Sequence, residues 1–329
     1  MIMTRTPLRI SIGGGGTDLP SYYQEHGPGF VISAAISKYI YITINRSFLP
    51  GYFLKYSEHE HAHTPDEIRH PLLREAIRLH QAPSPLEIVS VADVPAGTGL
   101  GSSGSFLVGL LHALYAWRRQ PVTAETLARE AIDIEMNRLG HPVGKQDQYI
   151  AAYGGLLSQE YLPDGEVRLT SLPIADAALR ELRDSLMLFF LGDTRSASSL
   201  LSEQKRLTEA RDPAMIDGLH FARSLSHQIR DALESGQVSQ FGPLMHQHWI
   251  RKRSRSCRMT TSRIDQLYDL ARSQGGATGG KLVGAGGSGF LLLHTHDRRR
   301  LRDTMLRAGL SEMDFSFDFD GSVVLLRNA

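Results

Sequence analysis

The chain has 329 residues, 41 % of them hydrophobic and 22 % charged, a length that can bury a sizeable core and a composition that excludes disorder, collagen-like repeats and coiled-coil rods. Its 36 basic and 35 acidic residues leave a formal charge of +1, which removes the global electrostatic argument for a nucleic-acid or membrane-surface partner. A single cysteine, Cys257, excludes an intramolecular disulfide; the N-terminus lacks the apolar stretch of a signal peptide, and the apolar run 186–191 is far too short to span a bilayer, so a cytoplasmic location is expected.

In chain order, residues 5–12 read as a strand that runs into the glycines 13–16, followed by an apolar stretch at 30–33 and an alternating strand at 39–46. Residues 52–57 also read as a strand and 59–63 as a polar loop; the spacing then predicts a helix over 66–80 and a strand over 86–94. Beyond the second glycine run, 103–117 is apolar almost all round, the pattern of a buried helix. A further helix is expected over 123–139, capped by Thr123 and stopped by Gly140. Strands at 154–160 and 167–172 flank the turn at Asp164 and Gly165. Long helices follow at about 195–211, 213–235, 237–257 and 261–273, before the third glycine run and a strand–helix–strand–strand tail. This shift in texture predicts two units with a boundary in 175–195, and the lack of a βαβ rhythm predicts the α+β class.

Glycine supplies 31 residues, and 16 of them fall in three short spans: 4 in 13–16, 4 in 97–104 and 8 in 275–289. Gly284 to Gly289 matches the dinucleotide pattern G-x-G-x-x-G, but it runs into the strand-like Phe290 to Thr295 where a helix is required. Gly275 to Lys281 resembles a P-loop, yet Leu282 stands where a hydroxyl must hold Mg²⁺. His59 to His63 satisfies H-E-x-x-H, the basis of a rival zinc-hydrolase reading, but no amphipathic helix surrounds it. The span 95–104 is different. A strand, a loop with four glycines and three serines within 97–105, and a buried helix follow one another, so backbone N–H groups and a helix N-terminus converge into an anion cradle, most naturally for phosphate.

Glu135 falls on the apolar stripe of helix 123–139, between Ala128 and Ala131. A carboxylate there must be paired, with Arg138 as the plain candidate, or metal-bound. Asp147 follows a Gly/Pro-rich turn and could equally be a helix cap; Arg9 and Asp18 bracket the first glycine run, and Asp193 to Arg195 precedes a helix.

Taken in order, Arg9 to Asp18 (R-I-S-I-G-G-G-G-T-D), Pro95 to Ser105 (P-A-G-T-G-L-G-S-S-G-S) and Lys281 to Gly289 (K-L-V-G-A-G-G-S-G) resemble the three motifs of the GHMP kinase superfamily over essentially the whole chain. The resemblance implies a ribosomal-protein-S5-like N-terminal domain, 1–180, with its phosphate loop at 95–105, and a ferredoxin-like C-terminal domain, 181–329, with its glycine loop at 279–289. It implies ATP on Pro95, Gly97, Thr98, Gly99, Leu100, Gly101, Ser102 and Ser103, and Mg²⁺ on Ser103 and Glu135. Asp147 matches the proposed catalytic base and Arg9 the basic residue beside it, where a positive neighbour favours the carboxylate. Substrate contacts fall to Gly15, Gly16, Thr17, Asp18, Gly286 and Gly287, with Arg195, Lys281 and the basic run 251–255 as candidates for a second phosphate.

Gly15 and Gly16 replace the Glu-His pair of the galactokinase-like motif. The phrases G-G-G-G-T-D-L-P-S-Y-Y, G-D-T-R-S-A-S and G-G-K-L-V-G-A-G-G-S-G look like the branch that phosphorylates D-glycero-D-manno-heptose 7-phosphate at C1, which serves nucleotide-activated heptose and surface polysaccharide synthesis. The alternatives are a kinase for a free sugar such as L-fucose or mannose, or a non-catalytic sugar-binding relative. The implied partners are ATP and a sugar phosphate, with a homodimer left open.

Overall fold

A computed structural model describes residues 1–192, 198–254 and 259–328. The chain begins with β1 (Ile2–Gly13), the short helix α1 (Pro20–Tyr23), β2 (Gly29–Asn45), β3 (Tyr52–Lys55), β4 (His59–Ala62), α2 (Pro71–Leu79) and β5 (Leu86–Ala92). Next come α3 (Ser102–Trp117), α4 (Ala124–Ile132), α5 (Gln146–Tyr153), β6 (Leu156–Tyr161), β7 (Val167–Ser171) and α6 (Asp176–Ser185). The remainder is β8 (Leu186–Phe190), α7 (Ser198–Glu209), α8 (Pro213–Glu234), α9 (Phe241–Arg253), α10 (Ser262–Ser273), β9 (Ala277–Leu282), β10 (Phe290–Thr295), α11 (Arg298–Arg307), β11 (Ser311–Met313) and β12 (Val323–Arg327).

Two sheets organise these elements. The first runs β12-β1-β2-β5-β3-β4, with β6 and then β7 joined to β2. The apolar stretches at 30–33 and 39–46 are one continuous strand. Its first half, Gly29 to Ala34, pairs with β6, and its second half, Ile40 to Asn45, pairs with β5. The second sheet, β11-β8-β10-β9, is antiparallel throughout. Numbered in its own chain order, that is the 4-1-3-2 arrangement of a β-α-β-β-α-β ferredoxin-like unit. β12 returns to the first sheet, where Ile2 faces Arg327, so the first sheet holds both ends of the chain.

α3 packs on β1 and β2 and is covered by α2, α4 and α5, which explains its apolar circumference: Leu107, Leu110, Leu111 and Leu114 are all buried. A separate core of Phe189, Trp249, Tyr268, Leu291, Leu293, Leu301 and Met305 lies under the second sheet. Among the described residues, no helix is long and apolar enough to cross a membrane.

Several expectations need correction. The polar loop at 59–63 is instead built on β4, paired to β3, with His59 and His61 exposed and Glu60 and Ala62 buried. Side chains alternate across a strand, so Glu60 points away from the two histidines, and the one-face geometry that H-E-x-x-H needs is not formed. The helix expected from 66 starts at Pro71, because the residue before a proline prefers extended backbone and His70 adopts it (φ −68°, ψ 110°). The helix expected to run to 139 leaves α geometry at Asp133 and continues to Arg138 as a π-helical turn.

Candidate active site

β5 leaves the first sheet, and the chain turns through 95–101 into the N-terminus of α3. Gly97, Gly99 and Gly101 take φ of +77°, +82° and +78°, a left-handed backbone that side chains resist. The start of the 16-residue α3 supplies unpaired N–H groups and a partial positive charge. The Ser102 hydroxyl is buried there and has no hydrogen-bond partner among the described residues. A loop of this shape accepts an anion.

Arg9 ties the loop to α5. Its Nε and Nη2 donate to the two Asp147 carboxylate oxygens at 2.7 and 2.8 Å, while Nη1 donates to the Gly99 carbonyl. The guanidinium side chain is only 7 % exposed, whereas that of Asp147 is 22 % exposed, so the carboxylate is the member of the pair that faces the cleft. α5 can approach this closely because position 104 is glycine: a Cβ there would lie 2.9 Å from the Asp147 Cβ. At Gly101 a Cβ would meet the Arg9 side chain at 3.0 Å.

Glu135 sits in the π-helical turn, 1 % exposed. π-turns inserted in α-helices recur at functional sites because they displace one side chain out of helical register. Its carboxylate accepts a hydrogen bond from Gln148 Nε2, and the Ser103 hydroxyl is near enough to favour its charged form. Burial, with the nearby Asp147 charge adding to it, pushes the Glu135 carboxyl up to about 7 despite both. Arg138, the partner considered from sequence, binds Asp133 instead at 2.8 Å.

Asp18 is buried (2 % exposed) and held by three donors: Gly16 N at 3.0 Å, Gln146 Nε2 at 3.1 Å and Gln146 N at 3.5 Å. Burial raises its pKa, and the neighbouring Asp147 raises it further. Gly144 gives it room, since a Cβ there would stand 1.8 Å from the carboxylate. Thr17 is fully buried, and its hydroxyl donates to the Phe30 carbonyl and accepts from the Phe30 N–H, both at 3.1 Å. It fixes the loop from within. At Gly15 a Cβ would meet nothing within 4 Å among the described residues, whereas at Gly16 it would strike the Gln204 amide of α7. The open side of this loop is therefore at Gly15.

The third glycine run braces the 97–101 loop. A Cβ at Gly289 would come within 2.1 Å of the Thr98 carbonyl, and one at Gly284 within 2.5 Å of the Gly99 Cα. Lys252, in the basic run offered as a candidate for a second phosphate, is buried and donates to the Leu282 and Gly284 carbonyls at 3.2 and 2.6 Å. Lys281 is also buried, with its ammonium on Ser11 Oγ at 3.0 Å and Gly14 O at 3.5 Å, tying the second sheet to the first glycine run. Gly287 N donates to Met259 O at 3.0 Å, and a Cβ at Gly286 would lie 3.0 Å from that same carbonyl. Arg195, Arg255 and Cys257 lie outside the described residues.

Arg9, Asp18, Glu135, Asp147 and the 97–103 loop thus come together, with Arg9 paired to Asp147 and with Asp18 and Glu135 both near enough to feel the Asp147 charge. Gly144, Gln146 and Gln148, which shape the site, escaped sequence reading. Neutral amides carry no charge pattern; the repeated glutamine on either side of Asp147 was the available signal.

Residues 71–155 match the family model for the GHMP kinases N terminal domain, and residues 229–310 match GHMP kinases C terminal. The chain is 27 % identical to a D-glycero-alpha-D-manno-heptose 7-phosphate kinase of Campylobacter jejuni over 97 % of each protein. It is 26 % identical to a bifunctional fucokinase/GDP-fucose pyrophosphorylase of Arabidopsis thaliana, over 93 % of this chain and 31 % of that relative. Among solved structures, a D-glycero-D-manno-heptose 1-phosphate kinase from Bacteriodes thetaiotaomicron superposes with a TM-score of 0.80 at 24 % identity, covering 100 % of both chains. Lactococcus lactis galactokinase complexed with galactose gives 0.76 at 16 % identity, over 98 % of this chain and 94 % of that one. These two likenesses show the fold.

Proposed function

Because the chain belongs to the GHMP kinase superfamily, whose sugar kinases are ATP-dependent phosphotransferases, we propose that it transfers the γ-phosphoryl of ATP to the anomeric hydroxyl of D-glycero-D-manno-heptose 7-phosphate. The observation that carries the chemistry is the Asp147 carboxylate, clamped by Arg9 at the start of α5 and packed on the phosphate loop through Gly101 and Gly104. The acceptor rests on the end-to-end similarity to the Campylobacter protein. The 1,7-bisphosphate so formed would serve nucleotide-activated heptose and surface polysaccharide synthesis. Two working units, 1–180 and 181–329, are part of the same proposal, with β12 of the second returning to the first sheet.

Donors from 97–103 hold the ATP phosphates and the α3 N-terminus adds its partial charge. Arg9 occupies one side of the Asp147 carboxylate, leaving lone pairs on the cleft side to orient the sugar hydroxyl and take its proton. Asp18 and the loop 15–17 hold the sugar end. Ser103 and Glu135 fit a magnesium ion, since a buried carboxylate with a serine oxygen near it and a second carboxylate, Asp147, beside it is an oxygen donor set of the kind that ion takes. When bound, the ion offsets charge on the transferring phosphoryl group.

ADP release measured with heptose 7-phosphate, L-fucose, mannose and galactose tests the acceptor. The expected kcat/KM is at least about a hundredfold higher for heptose 7-phosphate, because a site with charged partners for a second phosphate loses those contacts with a free sugar. An equal or higher value for L-fucose or mannose would establish a free-sugar kinase, the reading that the Arabidopsis similarity favours.

The brace between glycine loops predicts a separate effect. Gly289→Ala drives a methyl group into the Thr98 carbonyl at a residue with φ +100°, so KM for ATP rises at least about tenfold while KM for the sugar changes little. Unchanged ATP kinetics would show that the brace does not set the phosphate loop.

A further inference from the structure

The carboxylate matched to sugar recognition is nearly sealed. Asp18 is 2 % exposed, and its donors come from Gly16 and from both the backbone and side chain of Gln146. Gln146 opens α5, is only half-buried, and immediately precedes Asp147.

The orientation of the Gln146 amide follows from its partners. A carboxylate only accepts, so Nε2 faces Asp18; Oε1 then takes the Ser33 hydroxyl at 3.4 Å. Behind it, Gln159 Nε2 donates to the Gln146 carbonyl at 3.4 Å while its own Oε1 accepts from Tyr161, which is fully buried. Asp18 and Ser33 thereby hold the side-chain amide in one pose, while Gln159, itself fixed by Tyr161, holds the Gln146 backbone carbonyl beneath it. Among the described residues that amide has one N–H and one carbonyl lone pair uncommitted, a donor and an acceptor on one group, the pairing that adjacent ring hydroxyls satisfy. The open position at Gly15 lies on the same loop as Asp18.

We infer that Gln146, oriented by Asp18, reads the ring hydroxyls of the sugar next to the catalytic carboxylate, with Asp18 acting through it as a positioning residue. The inference deepens the kinase reading and rests on the sugar binding at this end of the cleft. It makes hydroxyl recognition and the placement of the attacking oxygen consequences of the same helix start, residues 146 and 147.

The test uses whichever panel sugar the wild type turns over best, together with its 2-deoxy, 3-deoxy and 4-deoxy analogues, so that a wrong acceptor does not sink it. The wild type should lose roughly ten- to a hundredfold in kcat/KM on at least one analogue. Gln146→Met should raise KM for the parent sugar by a similar factor, leave KM for ATP unchanged, and treat that analogue and the parent alike. Asp18→Asn should blunt the same discrimination, and the double variant should be no worse than about the poorer single one, as for two residues acting as a unit. A purely structural role would lower the melting temperature and kcat without erasing discrimination. Full discrimination retained in Gln146→Met, or additive losses in the double variant, would overturn the inference. Gln146→Asn, one methylene shorter, gives the same readout if the methionine variant does not fold.

Discussion

Asp147→Asn lowers kcat by about a thousandfold or more while KM for ATP stays within a few-fold. Arg9 donates to both oxygens of the carboxylate, at 2.7 and 2.8 Å. An asparagine offers one acceptor and turns an N–H₂ toward the other guanidinium donor, so the variant loses the base and half the clamp together. Arg9 is 6 % exposed, and a buried cation stripped of its counter-charge also costs stability, several kcal/mol in comparable pairs. The comparison is therefore made per folded molecule, with circular dichroism and a melting curve beside the kinetics. Turnover within tenfold of wild type would remove Asp147 from the chemistry.

Glu135→Gln has effects of opposite sign on activity and stability. Turnover falls by at least about a hundredfold, because an amide cannot supply the anionic oxygen proposed for the magnesium site. The protein without nucleotide or metal becomes more stable at pH 8. The sign follows from the raised pKa: burial lifts the carboxyl from 4.5 to about 7, so between those values the folded chain binds a proton that the unfolded chain has released. Stability falls as pH rises through that window, and above pH 7 the folded state carries the full cost of a buried charge, at most on the order of 3 kcal/mol. The amide keeps an acceptor for Gln148 and carries no charge. Thermal unfolding at pH 5 and pH 8 reads this directly: wild type loses stability between them by this amount relative to the variant. A variant less stable than wild type at pH 8 would contradict the electrostatic account.

The parts of this site that were legible in the sequence are those where composition and periodicity agree. Glycines and serines placed directly before an all-apolar helix mark a tight loop running into a helix start, and α3 begins at Ser102 after left-handed glycines at 97, 99 and 101. A 100° projection placed Glu135 among Ala128 and Ala131, and it is buried. The same projection misjudged its partner, because the π-helical turn at 133–138 changes which residues share a face, and Arg138 goes to Asp133. α5 is signalled only by Asp147 as a possible cap, and Asp147 lies instead in its first turn: eight residues after a Gly/Pro turn are too few to show a helical period. β4 was missed for a similar reason, as its four residues bury only Glu60 and Ala62. The glycines of the third run signalled close packing, but which backbone they meet depends on the two sheets coming together. Lys252 also illustrates that limit: its buried ammonium satisfies carbonyls of the third loop, and no local pattern distinguishes it from a solvated lysine.

Phosphorus NMR of a reaction of the purified protein with Mg-ATP and D-glycero-D-manno-heptose 7-phosphate tests the central claim. The proposal predicts that, as ADP forms, a new phosphate resonance grows in coupled to the anomeric proton, with the 7-phosphate signal retained at equal intensity in the product. A new phosphate coupled to any other carbon's proton, or no sugar-linked phosphate with turnover absent, would contradict it.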